Sequence, residues 1–192
     1  MAVAEPANAI CFSQPHWRQI ARGFDVESWF NDGQAKGTGG IPVPREMNLA
    51  VKHRYYRFAS STSPREAQIG GGWWIEFEHF RTIEQFAVRN GYSLSESARL
   101  HLALPYSWTR VDRLVSAFLE VPLRAFCGKG GVAHGGASDL RDANTSWIPL
   151  QHGNVIQLYI PGLYVKGRPE QLYERAFPEP LIEYIHGNRR PV

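Results

Sequence analysis

The sequence predicts one mixed α+β domain. Short runs rich in aromatic and β-branched residues, which are typical of strands, occur in the middle and towards the end of the chain. Between them lie two consecutive stretches with apolar residues at helical spacing, so the order is not the regular alternation of a parallel α/β fold. A length of 192 residues and an apolar share of 43% are enough for one ordinary core.

The first 45 residues are predicted to form a lead segment and linker ahead of a main domain over 46–192. A short helix is expected over about His16–Phe30. Residues 33–44 are rich in glycine and proline. They favour a loop because glycine widens the choice of backbone conformations and proline blocks a helix.

The sequence shows no targeting segment and no cysteine-based structure. The amino terminus lacks the pattern of a signal peptide, and no apolar run approaches the roughly 20 residues of a membrane helix. Cys11 and Cys127 fit neither a zinc spacing nor a disulfide framework. We therefore expect a soluble protein that is cytoplasmic, or is secreted by a route without a cleavable signal peptide.

The clearest strand is predicted over Lys52–Ala59. Its alternation places Arg57 on the same face as Tyr55 and Ala59. The hydroxyl-rich turn Ser60–Pro64 ends the strand because its side chains bond the local backbone and proline cannot continue a ladder.

Two helices are predicted next. Residues 76–90 have apolar side chains every three or four positions, and the Asn-Gly pair at 90–91 ends this helix. Ser93 and Glu96 form a capping box that begins the second helix, which stops before Pro105.

The remaining chain is predicted to be mainly strands. Residues 111–126 form one or two strands with Pro122 at an edge or a break. Residues 128–144 form a long glycine-rich loop, a kind of segment that is often functional. A strand follows over Val155–Ile160, and a helix near 169–177 and a short element near 181–186 complete the domain.

Arg57 is the strongest candidate for a site residue. It lies on a strand between aromatic side chains, so its guanidinium needs a partner, and a planar fork of donors matches phosphate oxygens. A structural ion pair is the alternative interpretation.

Gly70–Trp74 is the most unusual short stretch. Its glycines allow a backbone to approach a ligand closely, and Trp73 or Trp74 would supply a wall for an aromatic ring. A turn followed by two core side chains is the alternative. The stretch is neither a P-loop nor the dinucleotide-binding fingerprint.

Gln157 and Tyr159 share one face of the late strand. An amide among apolar neighbours is costly to bury without a partner. Gln157 must therefore bond to other protein groups, to water or to a ligand.

The order of elements from Lys52 to Leu163 resembles the ADP-ribosyltransferase-like fold, which also includes RES-type and necrotizing-toxin NAD glycohydrolases. The resemblance implies a split β-sheet core with two central helices. It implies that Arg57, on the early strand, binds the phosphates of NAD. It implies that Ser61 and Trp73 or Trp74 shape the nicotinamide site, and that Gln157 contacts the ribose or aids the departure of nicotinamide. The predicted catalytic residues are therefore Arg57 and Gln157, and the predicted NAD-binding residues are Arg57, Ser61, Gly72, Trp73, Trp74 and Tyr159.

By this resemblance the protein is a bacterial toxin or effector that consumes NAD as a substrate. It would cleave the nicotinamide–ribose bond, as a NAD glycohydrolase or an ADP-ribosyltransferase. The late strand carries Gln157-Leu-Tyr159 in place of the Glu-x-Glu pair that usually activates an acceptor, which favours hydrolysis over transfer. A cognate inhibitor protein is an expected partner. Neither a metal nor a membrane is required.

Two other functions fit the sequence. A metal-independent ribonuclease toxin would use His101, His134 or His152 as general acid and base, although a net charge of +3 does not favour nucleic acid. A non-enzymatic binding module would use the aromatic residues to bind a partner.

Overall fold

The computed structural model describes residues 4–24, 39–106, 108–131, 133 and 153–185. Within these ranges the chain is an α+β structure, as predicted. The helices are α1 (Ala9–Phe12), α2 (Pro15–Ala21), α3 (Arg65–Gly70), α4 (Phe77–Asn90), α5 (Leu94–Leu102) and α6 (Leu172–Ala176). The strands are β1 (Arg45–Asn48), β2 (Arg54–Ala59), β3 (Trp73–Glu76), β4 (Arg113–Phe118), β5 (Arg124–Lys129), β6 (Ile156–Tyr159) and β7 (Leu181–Tyr184).

The seven strands form one antiparallel sheet that forks at β3. The strand order is β1-β5-β6-β3-β2-β4-β7. The first two residues of β3, Trp73 and Trp74, pair with β6. The last two, Ile75 and Glu76, pair with β2. Because β3 changes partner along its length, β2 and β6 diverge from it on opposite sides and leave a cleft between the two halves of the sheet.

The strongest sequence patterns all correspond to observed elements. Strand β2, helices α4 and α5, and strands β4, β5 and β6 lie where the periodicity predicts them. The capping box at the start of α5 is formed: the Ser93 hydroxyl accepts from the backbone N–H of Glu96 at 3.1 Å, and the Glu96 carboxylate accepts from the Ser93 N–H at 3.2 Å.

Several short elements were not predicted. Strand β1 and helix α3 follow loop-like sequences, and β3 emerges directly from the three glycines. Each is six residues or fewer, so it shows too little periodicity to identify and depends on tertiary contacts. The helix predicted over about His16–Phe30 ends at Ala21, and its positions beyond 24 lie outside the described residues.

The described part of the predicted lead segment packs against the sheet and does not stand apart from it. The Asn8 side chain is buried, and its amide donates to the carbonyls of Arg124 at 2.8 Å and Pro161 at 3.1 Å. Ala21 is fully buried in a small cluster with Phe126 and Tyr159. These residues therefore belong to the fold of the main domain.

The two faces of the sheet carry separate cores. One core lies under α3 and α6, and the other lies under α4 and α5. Strand β2 contributes to both with the predicted alternation, since Tyr55 and Ala59 enter the first core whereas Tyr56 and Phe58 enter the second. Both cysteines are free and buried. In the described part of the chain, no helix has the length and apolar character needed to cross a membrane.

Gly91 ends α4 in the left-handed conformation, with φ of 68°, and an added Cβ would meet nothing within 4 Å. Replacing it should therefore cost only backbone strain. We expect Gly91→Ala to lower the free energy of unfolding by about 1 kcal/mol. Gly91→Asn should cost less because asparagine tolerates this conformation. Urea unfolding of both variants measures this, and equal losses would show that the strain argument is wrong.

Candidate functional site at the fork of the sheet

A cavity of about 570 Å³ lies at the fork, a volume typical of sites for small molecules. Its described walls come from β2, β3 and β6, from the end of α5 with the loop that follows, and from three glycine-containing segments. The polar or aromatic side chains on these walls are Phe24, Tyr56, Arg57, Phe58, Ser60, Ser63, Gln68, Trp73, Trp74, Trp108, Thr109 and Gln157.

Arg57 occupies the fork itself. Its Nε donates to the carbonyl of Gln68 at 2.8 Å, its Nη1 to that of Trp73 at 3.0 Å, and its Nη2 to that of Ala67 at 3.3 Å. These carbonyls belong to α3 and to the first residue of β3, next to the point where β3 separates from β2. The guanidinium thus fills the space that the divergence of the strands opens.

The glycine run accommodates the protein's own side chains. A Cβ at Gly71 would lie 2.0 Å from Arg57 Nη2, and a Cβ at Gly70 or Gly72 would lie 2.7 Å from a ring carbon of Tyr173 or Tyr159. Close backbone approach is therefore needed here, as the glycines suggest, but these contacts are internal. Gly72 was predicted to bind the ligand and is not among the residues that line the cavity.

The charge of Arg57 has no acidic partner among the described residues. None of the ion pairs in the described ranges includes it, so the predicted alternative of a structural ion pair finds no support there. Burial lowers the pKa of the guanidinium to about 10, and it therefore remains cationic at neutral pH. Among the described residues, backbone carbonyls accept from three of its five N–H groups, and the other two have no partner there.

Gln157 lines the same cavity from β6, on the other side of the fork. It is 9% exposed, and its Nε2 donates to the carbonyl of Leu102 at 3.2 Å. Because a carbonyl only accepts, the amide nitrogen must face Leu102 and the amide oxygen must face away. That oxygen accepts no hydrogen bond from a described residue and is available to a donor in the cavity.

The structure separates the two tryptophans by the alternation of β3. Trp74 is 1% exposed, stacks on Phe177 with ring centroids 4.4 Å apart, and donates from its indole to the carbonyl of Gly71. Trp74 is therefore a core side chain that also forms part of the cavity wall. Trp73 is half-buried, lines the cavity and rests on the ring of Tyr159 at 5.1 Å.

Two further predicted site residues lie away from the cavity. The hydroxyl of Ser61 donates to Asp112 at 2.5 Å, and its backbone N–H donates to the same carboxylate at 2.7 Å. These two hydrogen bonds direct Ser61 away from the cavity. Burial of Asp112 raises the pKa of its carboxyl, but the hydrogen bonds from Ser61 outweigh this effect, and the pKa is lowered. Tyr159 packs with Ala21 and Phe126, and burial raises the pKa of its phenol. Ser60 and Ser63 line the cavity in place of Ser61.

Sequence reasoning missed the wall formed by Trp108 and Thr109. These residues lie between the proline that ends α5 and the start of β4, a stretch with no periodicity. The available signal was compositional: a tryptophan in a short polar connection is a large apolar side chain without an assigned core position.

The histidines proposed for a ribonuclease do not form a described site. His101 is buried on α5, where its Nδ1 bonds the carbonyl of Ser97 at 2.8 Å and its ring meets Phe86 edge-on. His134 and His152 lie outside the described residues. No cluster of three or more potential metal-binding side chains occurs in the part of the chain that the structure describes.

Comparison with known proteins finds no matching family model, no similar curated protein and no similar solved structure. The function must therefore be inferred from the geometry of the cavity.

The contact between Gly71 and Arg57 can be tested by stability measurements. Gly71 has φ of −62° and ψ of 143°, which alanine adopts freely. We expect Gly71→Ala to lower the free energy of unfolding by about 1–3 kcal/mol, because its methyl group overlaps the guanidinium.

The matched control is the same substitution in an Arg57→Ala background. There the methyl group enters vacated space, and the added cost should be much smaller. An equal cost in both backgrounds, measured by urea unfolding, would mean that the guanidinium does not lie against Gly71.

Proposed function

We propose that this protein is a NAD-consuming enzyme that cleaves the nicotinamide–ribose bond, with an ADP-ribosyltransferase-like fold. One observation carries the proposal: a cation and an amide line a single cavity from opposite sides of a forked sheet, and two N–H groups of the cation and the oxygen of the amide have no hydrogen-bond partner among the described residues. The fork at β3 supports the fold assignment, because it divides the sheet as the resemblance implies.

The groups on the cavity wall describe a complementary ligand. The remaining N–H groups of Arg57 are donors for the oxygens of a phosphate, and the negative charge would offset the cost of keeping this cation desolvated. The free oxygen of Gln157 matches a sugar hydroxyl, which can donate to it. Trp73 presents a surface for a flat ring. A nicotinamide dinucleotide provides an anionic, a hydroxyl and an aromatic group in one molecule.

The reaction would follow from holding these groups in place. The bond between the ribose C1′ and the nicotinamide nitrogen breaks, and its electron pair leaves with the nitrogen, so the released nicotinamide is neutral. The sugar gains oxocarbenium character, which the oxygen of Gln157 would stabilise electrostatically. Water then attacks C1′ and loses a proton to solvent, and ADP-ribose forms. Arg57 would anchor the pyrophosphate and fix the sugar relative to Gln157.

Hydrolysis is the favoured outcome over transfer to a protein. The residue that β6 places in the cavity is an amide, which does not take up a proton from an attacking side chain at neutral pH. Water needs no such activation against an oxocarbenium-like centre. A role as a toxin or effector, held in check by a cognate inhibitor protein, is the biological context that we propose for this activity.

The proposal predicts that purified protein releases nicotinamide from NAD and that two substitutions abolish the release. Arg57→Ala removes the phosphate anchor, and Gln157→Ala removes the acceptor near the sugar. Each should lower kcat/KM by about 100-fold or more while the protein remains folded. Chromatographic assay of nicotinamide measures the activity, and circular dichroism verifies the fold.

The matched control is Arg54→Ala, which removes the same charge from the same strand. Arg54 is exposed and lies over the ring of Phe118 at 4.6 Å, away from the cavity. Its activity should equal that of the parent. Parental NAD hydrolysis by both Arg57→Ala and Gln157→Ala would refute the site, and degradation of RNA without nicotinamide release would favour the ribonuclease function.

A further inference from the structure

We infer that Trp108 forms a second ring-binding surface in the cavity, for the adenine base of the dinucleotide, and that Arg99 is the positioning residue that holds it. This inference rests on the proposed function and extends it to the half of the substrate that does not react. It concerns the loop between α5 and β4, which contributes Trp108 and Thr109 to the cavity wall.

Arg99 binds this loop through four backbone carbonyls. It lies on α5 and is 4% exposed. Its Nη1 donates to the carbonyls of Leu104 at 3.2 Å and Pro105 at 3.1 Å, and its Nη2 donates to those of Thr109 at 2.6 Å and Arg110 at 2.9 Å. The guanidinium of Arg99 thus connects residues before Trp108 to residues after it.

The backbone at both ends of the loop is in an unfavourable conformation. Ala103 has φ of 50° and Val111 has φ of 53°. Positive φ is a genuine outlier for a β-branched residue such as valine. Such conformations persist only where surrounding contacts impose them, and they are concentrated at functional sites. The bonds from Arg99 are contacts of this kind, so we interpret the shape of the loop as imposed by Arg99.

Trp108 is presented at the mouth of the cavity. It is 43% exposed, although a tryptophan is usually buried to a large extent. Its Cη2 would lie 3.2 Å from a Cβ added at Gly39, so glycine at this position leaves room for the indole. A half-exposed indole that lines a cavity and has one edge against Gly39 is suited to stacking on a flat base.

Trp73 and Trp108 differ in exposure, and this difference indicates which ring of the dinucleotide each of them would contact. Partial exclusion of bulk water strengthens the electrostatic stabilisation of the reacting centre. Trp73 is half-buried and its carbonyl binds Arg57, so it suits the nicotinamide end. Trp108 is more exposed and suits the ring at the far end of the pyrophosphate, where no bond changes.

The test compares NAD with nicotinamide mononucleotide, which keeps the reacting half and lacks the adenosine. Trp108→Ala should lower kcat/KM for NAD about tenfold, as expected for loss of one stacked base, with most of the change in KM. The same variant should hydrolyse the mononucleotide at the parental rate. Trp108→Phe should recover most of the activity on NAD because it restores an aromatic face.

Arg99→Lys should reproduce the selective loss of activity on NAD, because an ammonium cannot bind four carbonyls in a plane. The matched control is Arg110→Ala, which removes an exposed cation from the same loop and leaves its backbone carbonyl in place. This control should leave both activities unchanged. A purely structural role for Arg99 would lower the activity on both substrates equally.

A direct binding measurement separates this inference from the proposed function. Calorimetry with ADP-ribose should show weaker binding to Trp108→Ala than to the parent, whether or not the protein turns over NAD. If NAD is hydrolysed and Trp108→Ala loses equal activity on both substrates, the base-binding role is wrong and the proposed function stands. If nicotinamide is never released, the proposed function is wrong. Equal binding of ADP-ribose to variant and parent would overturn the inference in either case.

Discussion

The guanidinium of Arg57 in the fork of the sheet connects strands β2 and β3 to helix α3 through three backbone carbonyls. Where β3 leaves β2 to pair with β6, the regular ladder between β2 and β3 ends. The carbonyl of Trp73 and two carbonyls of α3 then bind to Arg57. Buried carbonyls need such partners. Arg57 therefore binds the backbone at the fork and also lines the cavity.

Arg99 makes the same kind of contact with the loop that carries Trp108. Both arginines donate to backbone carbonyls of segments that border the cavity. Carbonyl oxygens satisfy N–H groups without cancelling the positive charge as a carboxylate would. The field of Arg57 at the cavity therefore remains positive, which favours an anionic ligand. Keeping this charge on the cavity wall costs free energy because the guanidinium is desolvated.

Sequence patterns predicted the fold where periodicity is long. Helix α4 and strand β2 follow from the spacing of their apolar residues, and the Ser93 capping box was visible as a motif. Arg57 and Gln157, which both line the cavity, could be singled out because a polar side chain on an otherwise apolar strand requires a partner. Ser61, Gly72 and the loop of Trp108 were misjudged or missed. Their directions depend on Asp112, Tyr159 and Arg99, which are distant in sequence or unmarked by any local pattern.

The chemical nature of the two polar groups has a consequence for where such a site operates. An amide does not titrate, and a guanidinium whose pKa is about 10 stays protonated throughout the range found in living compartments. The protonation states of Arg57 and Gln157 are thus the same at the pH of an acidified vacuole as at that of the neutral cytosol. Acidity within this range therefore leaves unchanged the charge that these two side chains place on the cavity wall.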